Sequence, residues 1–111
     1  MKRLTASTFN TEVLNSNKLY VVMFTGKGCA PCAALKPVLR DIEKTYDSQV
    51  NFGEIDVGTE SRIMNRYATY TLPTLLFFEA GIVVDFLRGM PGTDPKQVIE
   101  DLIKKILKRR K

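Results

Sequence analysis

The sequence predicts an α/β fold: a mixed central β-sheet with helices on both faces, in the order β-α-β-α-β-α-β-β-α. Three observations predict it. Short apolar runs of strand length alternate with segments of helical period through the first half, which calls for parallel strands joined by crossovers. Late in the chain, "TLLFFEAGIVVDFLRG" (74–89) holds two strand patterns around a turn, and such a hairpin is antiparallel. Finally, 111 residues without a linker, repeat or low-complexity stretch suit one domain spanning residues 1–111.

The elements follow in order. Residues 4–5 form a short strand. Ser7 or Thr8 caps a helix whose apolar face is Phe9, Val13 and Leu14, and "NSNK" (15–18) ends it. "LYVVMFT" (19–25) is apolar, β-branched and aromatic throughout, as a strand buried on both faces would be. Gly26 and Gly28 turn the chain. From Ala30 to about Tyr46, Leu35, Val38, Leu39, Ile42 and Tyr46 recur at helical spacing. Pro31 suits the first helical turn, and Pro37 should kink the helix it interrupts.

"VNFGEIDV" (50–57) alternates as a strand, and "ESRIMNRYA" (60–68) makes a short helix with Ile63, Met64 and Tyr67 inward. The hairpin turns at Ala80 and Gly81. Asp94 caps the last helix, Pro95 takes its first position, and Val98, Leu102, Ile103 and Ile106 form its buried stripe.

Composition narrows the function. Lys2 and Arg3 imitate the start of a secretory leader, but residues 5–18 are polar and "LYVVMF" is too short for its apolar core. The later apolar stretch is broken by Glu79 and Gly81, so no membrane span is expected. A cytoplasmic protein is expected, in a compartment where dithiols are kept reduced. The net charge of +5 gathers partly in the closing "KKILKRRK", which reads as a solvated helix end whose cations complement the dipole. No aromatic residues interleave with those cations, so no nucleic-acid partner is expected.

The only two cysteines, Cys29 and Cys32, lie in "GKGCAPCAALKP" (26–37). As a staple they would close a tiny ring, which restricts the unfolded chain little. As zinc ligands they lack partners: the chain has no histidine and no second cysteine pair, although carboxylates or a second copy could complete a set. A redox-active pair is the leading reading, with no metal and no cofactor.

In its wider setting this motif resembles the thioredoxin family. The resemblance covers nearly the whole chain. It rests on "VVMFTGKGCAPC" as strand, turn and helix start, on Pro37, "EIDV", "YTLPTLLFFEAG" (70–81) and "RGMPG" (88–92). It implies a thioredoxin fold and a thiol–disulfide oxidoreductase that reduces protein disulfides, serving electron transport and cell redox homeostasis. The implied partners are disulfide-containing proteins and a thioredoxin reductase-like electron donor, and the implied state is a monomer. A non-catalytic thioredoxin-fold module or redox sensor, holding one partner around Leu72 and Met90, is the alternative. A glutaredoxin would carry a Gly-Gly…Asp signature after its cis proline, and residues 74–89 contain none.

The resemblance also implies roles. Cys29, at the helix start, attacks as the thiolate, favoured by unpaired N–H groups, the helix dipole and the nearby Lys27. Cys32, one turn inside, is the resolving thiol. Gly28, Ala30 and Pro31 shape the motif. A cis bond before Pro73 turns the Leu72 backbone outward to receive a substrate segment, beside Gly89 and Met90. Two departures stand out. Met23 occupies the position, six before Cys29, where such proteins typically carry a buried acid, and Phe52 that of its partner lysine. Thr25 and Gly28 replace the usual flanking tryptophans. Cys32 is therefore expected to lack a nearby carboxylate to take its proton, with Glu54 and Asp56 too far away or on the wrong face.

Overall fold

A computed structural model describes residues 1–110. Five strands form one sheet in the order β1-β3-β2-β4-β5. They are β1 (Lys2–Arg3), β2 (Leu19–Thr25), β3 (Val50–Asp56), β4 (Thr74–Glu79) and β5 (Ile82–Arg88). β3 runs parallel to β1 and β2, while β4 runs antiparallel to β2 and β5. The sheet is mixed, for the two reasons seen in the sequence: crossovers early and a hairpin late.

Three helices, α1 (Ala30–Tyr46), α2 (Ser61–Tyr67) and α3 (Pro95–Arg109), cover it. On one face, Leu35, Leu39 and Ile42 of α1 and Ile99, Ile103 and Ile106 of α3 pack on Leu19, Val21 and Met23 of β2 and on Val50 and Phe52 of β3. On the other, Phe9, Val13 and Ile63 pack on Tyr20, Val22, Phe24, Ile55 and Phe78. β2 sits in the middle and is buried along its full length, which explains its unbroken apolar run. Phe9, Tyr67 and Phe78 meet with ring centroids 5.4 to 5.8 Å apart. Each fully buried side chain of this kind contributes about 1.5–3 kcal/mol.

Four expectations change. β1 is residues 2 and 3, not 4 and 5. Leu4 still donates its N–H to the Glu54 carbonyl, but the Thr5 carbonyl already accepts from Thr8 and Phe9 and starts a turn. The next segment is a π-helical turn, Asn10–Leu14, closed by the Asn15 N–H on the Asn10 carbonyl. Neither Ser7 nor Thr8 caps it, and the Thr8 hydroxyl accepts the Thr5 N–H instead. The buried stripe of α3 includes Ile99 rather than Val98, which is 37% exposed. Positions 99, 103 and 106 lie at spacings of four and three on one helix face, and Val98 falls to the side, toward Gly92. The fourth change, the face on which Glu54 lies, concerns the site.

Two other signals, the start of the last helix and the hairpin turn, are realised as read. Asp94 accepts the Gln97 N–H at 3.3 Å with Pro95 at the first helical position. Ala80 and Gly81 both have positive φ, 51° and 79°, as a tight two-residue hairpin turn requires. α1 runs unbroken through Pro37. No helix of the described residues is long and apolar enough to cross a membrane.

Candidate active site

β2 ends at Thr25, and Gly26 to Gly28 carry the chain to the start of α1. Gly28 has φ +71°. Gly26 matters for a different reason. A Cβ there would lie 3.0 Å from the Leu72 side chain, so glycine lets the loop before β4 close against the motif loop. That contact is not legible in the sequence, because nothing local links residues 26 and 72.

Cys29 is the N-cap of α1, and Pro31 sits in its first turn. The Cys32 N–H donates to Cys29 Sγ at 3.2 Å, so the sulfur occupies the place an N-cap oxygen would take. Cys29 and Cys32 are joined as a disulfide with Cα atoms 5.2 Å apart. Cys29 is half-buried, whereas Cys32 is sealed into the core beside Met23, Leu35 and Leu39. The helix period separates them: one residue starts the helix at the surface and the other faces inward a turn later.

The Leu72-Pro73 peptide bond is cis. Leu72 packs against both core clusters, and the Gly89 N–H donates to the Pro73 carbonyl at 2.7 Å. Gly89 has φ +76°, and a Cβ on it would meet nothing within 4 Å. Glycine is needed there for its backbone conformation, and the space above it is open. Met90, 36% exposed, lies beside it. Ala30 is exposed at the first position of α1.

A cleft of about 540 Å³ opens beside the disulfide, lined by both cysteines together with Thr25, Lys36, Pro37 and Arg40, among others. A second cavity adjoins it and shares Thr25, Gly26 and Lys36. Lys27 lines this second cavity and not the first.

Glu54 changes the expectation about its face. In β3 it follows Val50 and Phe52 by the two-residue repeat, so it lies on their face, under α1. Its register partner is Met23. Glu54 Oε2 is 3.3 Å from Lys36 Nζ, close enough for an ion pair but not directed as a hydrogen bond, and that oxygen is closed to solvent without a hydrogen-bond partner. The position of Met23 is apolar, yet the adjacent strand brings a carboxylate to the same face. Neither Lys36 nor Glu54 was singled out by the motif, although Lys36 follows Cys32 by one helical turn.

No group of three or more His, Cys, Asp or Glu side chains suited to a metal ion occurs among the described residues.

Comparison with known proteins agrees with this geometry. The Thioredoxin family model matches residues 1–105. The chain is 34% identical over 107 residues to the thioredoxin of Acetoanaerobium sticklandii, covering 96% of this chain and all of that one. It is 30% identical over 99 residues to thioredoxin 1 of a Nostoc species, covering 88% of this chain and 92% of the relative. It is also similar to a Mycobacterium leprae protein named as a bifunctional thioredoxin reductase/thioredoxin, with 30% identity over 89 residues, 80% of this chain and 19% of that longer protein. The chain belongs to the thioredoxin family and is a thiol–disulfide oxidoreductase.

Proposed function

We propose that this member of the thioredoxin family reduces disulfides in protein substrates, with Cys29 attacking and Cys32 resolving. The observation that carries the reading is Cys29 Sγ at the N-cap of α1, receiving the Cys32 N–H. Once the pair is reduced, that N–H and the helix terminus favour the Cys29 thiolate, a terminal charge interaction being worth about 0.3–1 kcal/mol. Lys27 adds positive charge to the neighbourhood. Cys29 then attacks one sulfur of the substrate disulfide. A Cys29–substrate bond forms, and the other substrate sulfur leaves and takes up a proton. Cys32 loses its proton and attacks Cys29, which releases the second substrate thiol and leaves Cys29–Cys32 oxidised. The short ring makes this second step intramolecular and fast.

The substrate lies along the Leu72 backbone, over the open space at Gly89 and against Met90, adding as a short strand. Pro31 and Ala30 hold the turn between the sulfurs. The oxidised pair is returned to dithiol by a reductase-like electron donor, a reading supported by the relative whose name joins the two activities in one chain. The protein works as a monomer in the cytoplasm, where the reductant keeps such pairs reduced.

Turnover of insulin disulfides, with dithiothreitol or a thioredoxin reductase as the electron source, tests the reading. Catalytic reduction that is lost in Cys29→Ser supports it. Capture of a partner without turnover would make the chain a sensor or binding module instead.

A further inference from the structure

The resolving step places a demand on Cys32. Its sulfur must shed a proton to attack, yet the residue is only 1% exposed and bulk water does not reach it freely. A titratable group on its own side of the helix is needed. Lys36, a turn further along α1, lines the same cleft as Cys32, with Arg40 a turn beyond it. Behind Lys36 stands Glu54. Its Oε2 is the one buried side-chain oxygen or nitrogen among the described residues that has no hydrogen-bond partner. An oxygen shielded from solvent with free lone pairs is costly unless something uses it.

We propose that Glu54, positioned by Lys36, receives the proton of Cys32 when the mixed disulfide is resolved. This rests on the reading of Cys32 as the resolving thiol. Thr25, Gly26 and Lys36 line both the cleft beside the sulfurs and the cavity that holds Glu54, so the two spaces meet between thiol and carboxylate. The proton crosses that junction through water. In the balanced step, the Cys32 S–H proton passes to the Glu54 carboxylate and the Cys32 sulfur bonds to Cys29 Sγ. The bond from Cys29 to the substrate breaks, and the substrate sulfur leaves with the electron pair. The substrate is reduced, the cysteine pair is oxidised, and Glu54 later returns its proton to solvent.

The charges facing Glu54 are few. Lys36 comes from α1, at 3.3 Å. Met23, opposite on β2, is apolar. Arg3 of β1 is tied to Asp56 at 3.4 Å, and with Lys27 they complete the charged lining of the cavity. Lys36 holds the Glu54 carboxylate at the junction of the two spaces.

Dithiodipyridine separates the two steps, because Cys29 capture frees one thiopyridone and Cys32 attack frees the second. Rapid mixing of the reduced full chain with this probe, from about pH 6 to 9 across the thiol range, reads both phases. In Glu54→Gln the first phase should stay within about twofold of wild type, while the second slows on the order of 10-fold or more near pH 7. The deficit should shrink as pH rises and hydroxide replaces the carboxylate. Glu54→Asp should recover part of the rate. Lys36→Met, on the helix surface, tests the same idea should Glu54→Gln fold poorly. It removes the group that positions the carboxylate, so the second phase should fall at neutral pH with capture little changed. An unchanged second phase across the range, or equal slowing of both phases, overturns the proposal. Absence of any first phase in the wild type would overturn the assignment of Cys29 instead.

Discussion

Cys29 and Cys32 are bonded to each other, yet their surroundings are built from different materials. Cys29 is half-buried and is served by backbone: the Cys32 N–H and the end of α1. Cys32 is buried and is surrounded by side chains: Met23 of β2 within its core cluster, Lys36 of its own helix in the shared cleft, and Glu54 of β3 paired with Lys36. Backbone devices tolerate much sequence change around them. Side-chain devices can be moved between strands, provided the new residue reaches the same face.

Removing either sulfur gives the largest effect and breaks the comparison outright. Cys29→Ser should abolish capture of disulfide substrates. Cys32→Ser should capture and not release, with multiple turnover falling by at least ~10³-fold because intramolecular attack is lost. Intact-protein mass spectrometry of trapped mixed disulfides checks both. Accumulation of adducts on Cys32 in a Cys29→Ser background would reverse the roles.

Met23→Asp sharpens the Cys32 side. It would place a second carboxylate at the register position opposite Glu54, in a pocket that is fully closed around methionine. Two like charges and an unpaired buried group should cost about 2–4 kcal/mol of stability, read by urea unfolding. Because Glu54 already stands on this face, the variant should release thiopyridone no faster than wild type. A clear gain in the second phase would mean that Glu54 does not reach the thiol.

These two environments were unequally legible in the sequence. The Cys29 side was readable because its determinants are local: a strand, two glycines, a cysteine at a helix start and Pro31 behind it. Resemblance supplied the cis bond before Pro73. The mixed sense of the sheet and the hairpin turn at Ala80 and Gly81 also follow from local period and turn chemistry. The Cys32 side depends on which residues of β3 lie opposite β2, and register between distant strands is not written in either strand alone. The sequence therefore leaves Glu54 either too far from Cys32 or on the wrong face, although its spacing from Phe52 carries the answer about the face. The same limit explains β1, where pairing with Gly53 and Glu54 decides the strand's bounds. In α3, Val98 was taken for Ile99 because both are β-branched and apolar, and only packing distinguishes adjacent helix positions.

Gly89→Ala tests the outer side with a smaller effect. The positive φ of Gly89 should cost a side chain about 1–2 kcal/mol. The added methyl also enters the open space where a substrate segment would dock. Insulin reduction should show a raised KM, while dithiodipyridine capture stays near wild type. Equal losses with both probes would assign the residue to the loop's fold alone.

The smallest effect compares two ion pairs along α1. Lys36–Glu54 is the more shielded, with side chains 32% and 17% exposed, whereas Lys96–Asp41, at 2.8 Å, ties the start of α3 to α1 with side chains 47% and 56% exposed. The Lys96 hydrogen bond and charge hold the Asp41 carboxyl below its usual range, and the same contact raises Lys96. The signs fix a window. The depressed Asp41 contributes stability that is present above its unfolded pKa, about 3.9, and is lost as pH falls through the lowered value. The raised Lys96 contributes stability that is present below its unfolded pKa, about 10.4, and is lost as pH rises through the raised one. Asp41→Asn should therefore lower Tm slightly at neutral pH, and the difference should vanish near 1 M salt, where the screening length is about 3 Å. Lys36→Met should keep more of its effect on thiol release in that salt, since a pair with one oxygen closed to solvent is screened less. If salt erases both effects alike, Lys36 and Glu54 act as an ordinary surface pair and the contrast between the two cysteines loses its interior half.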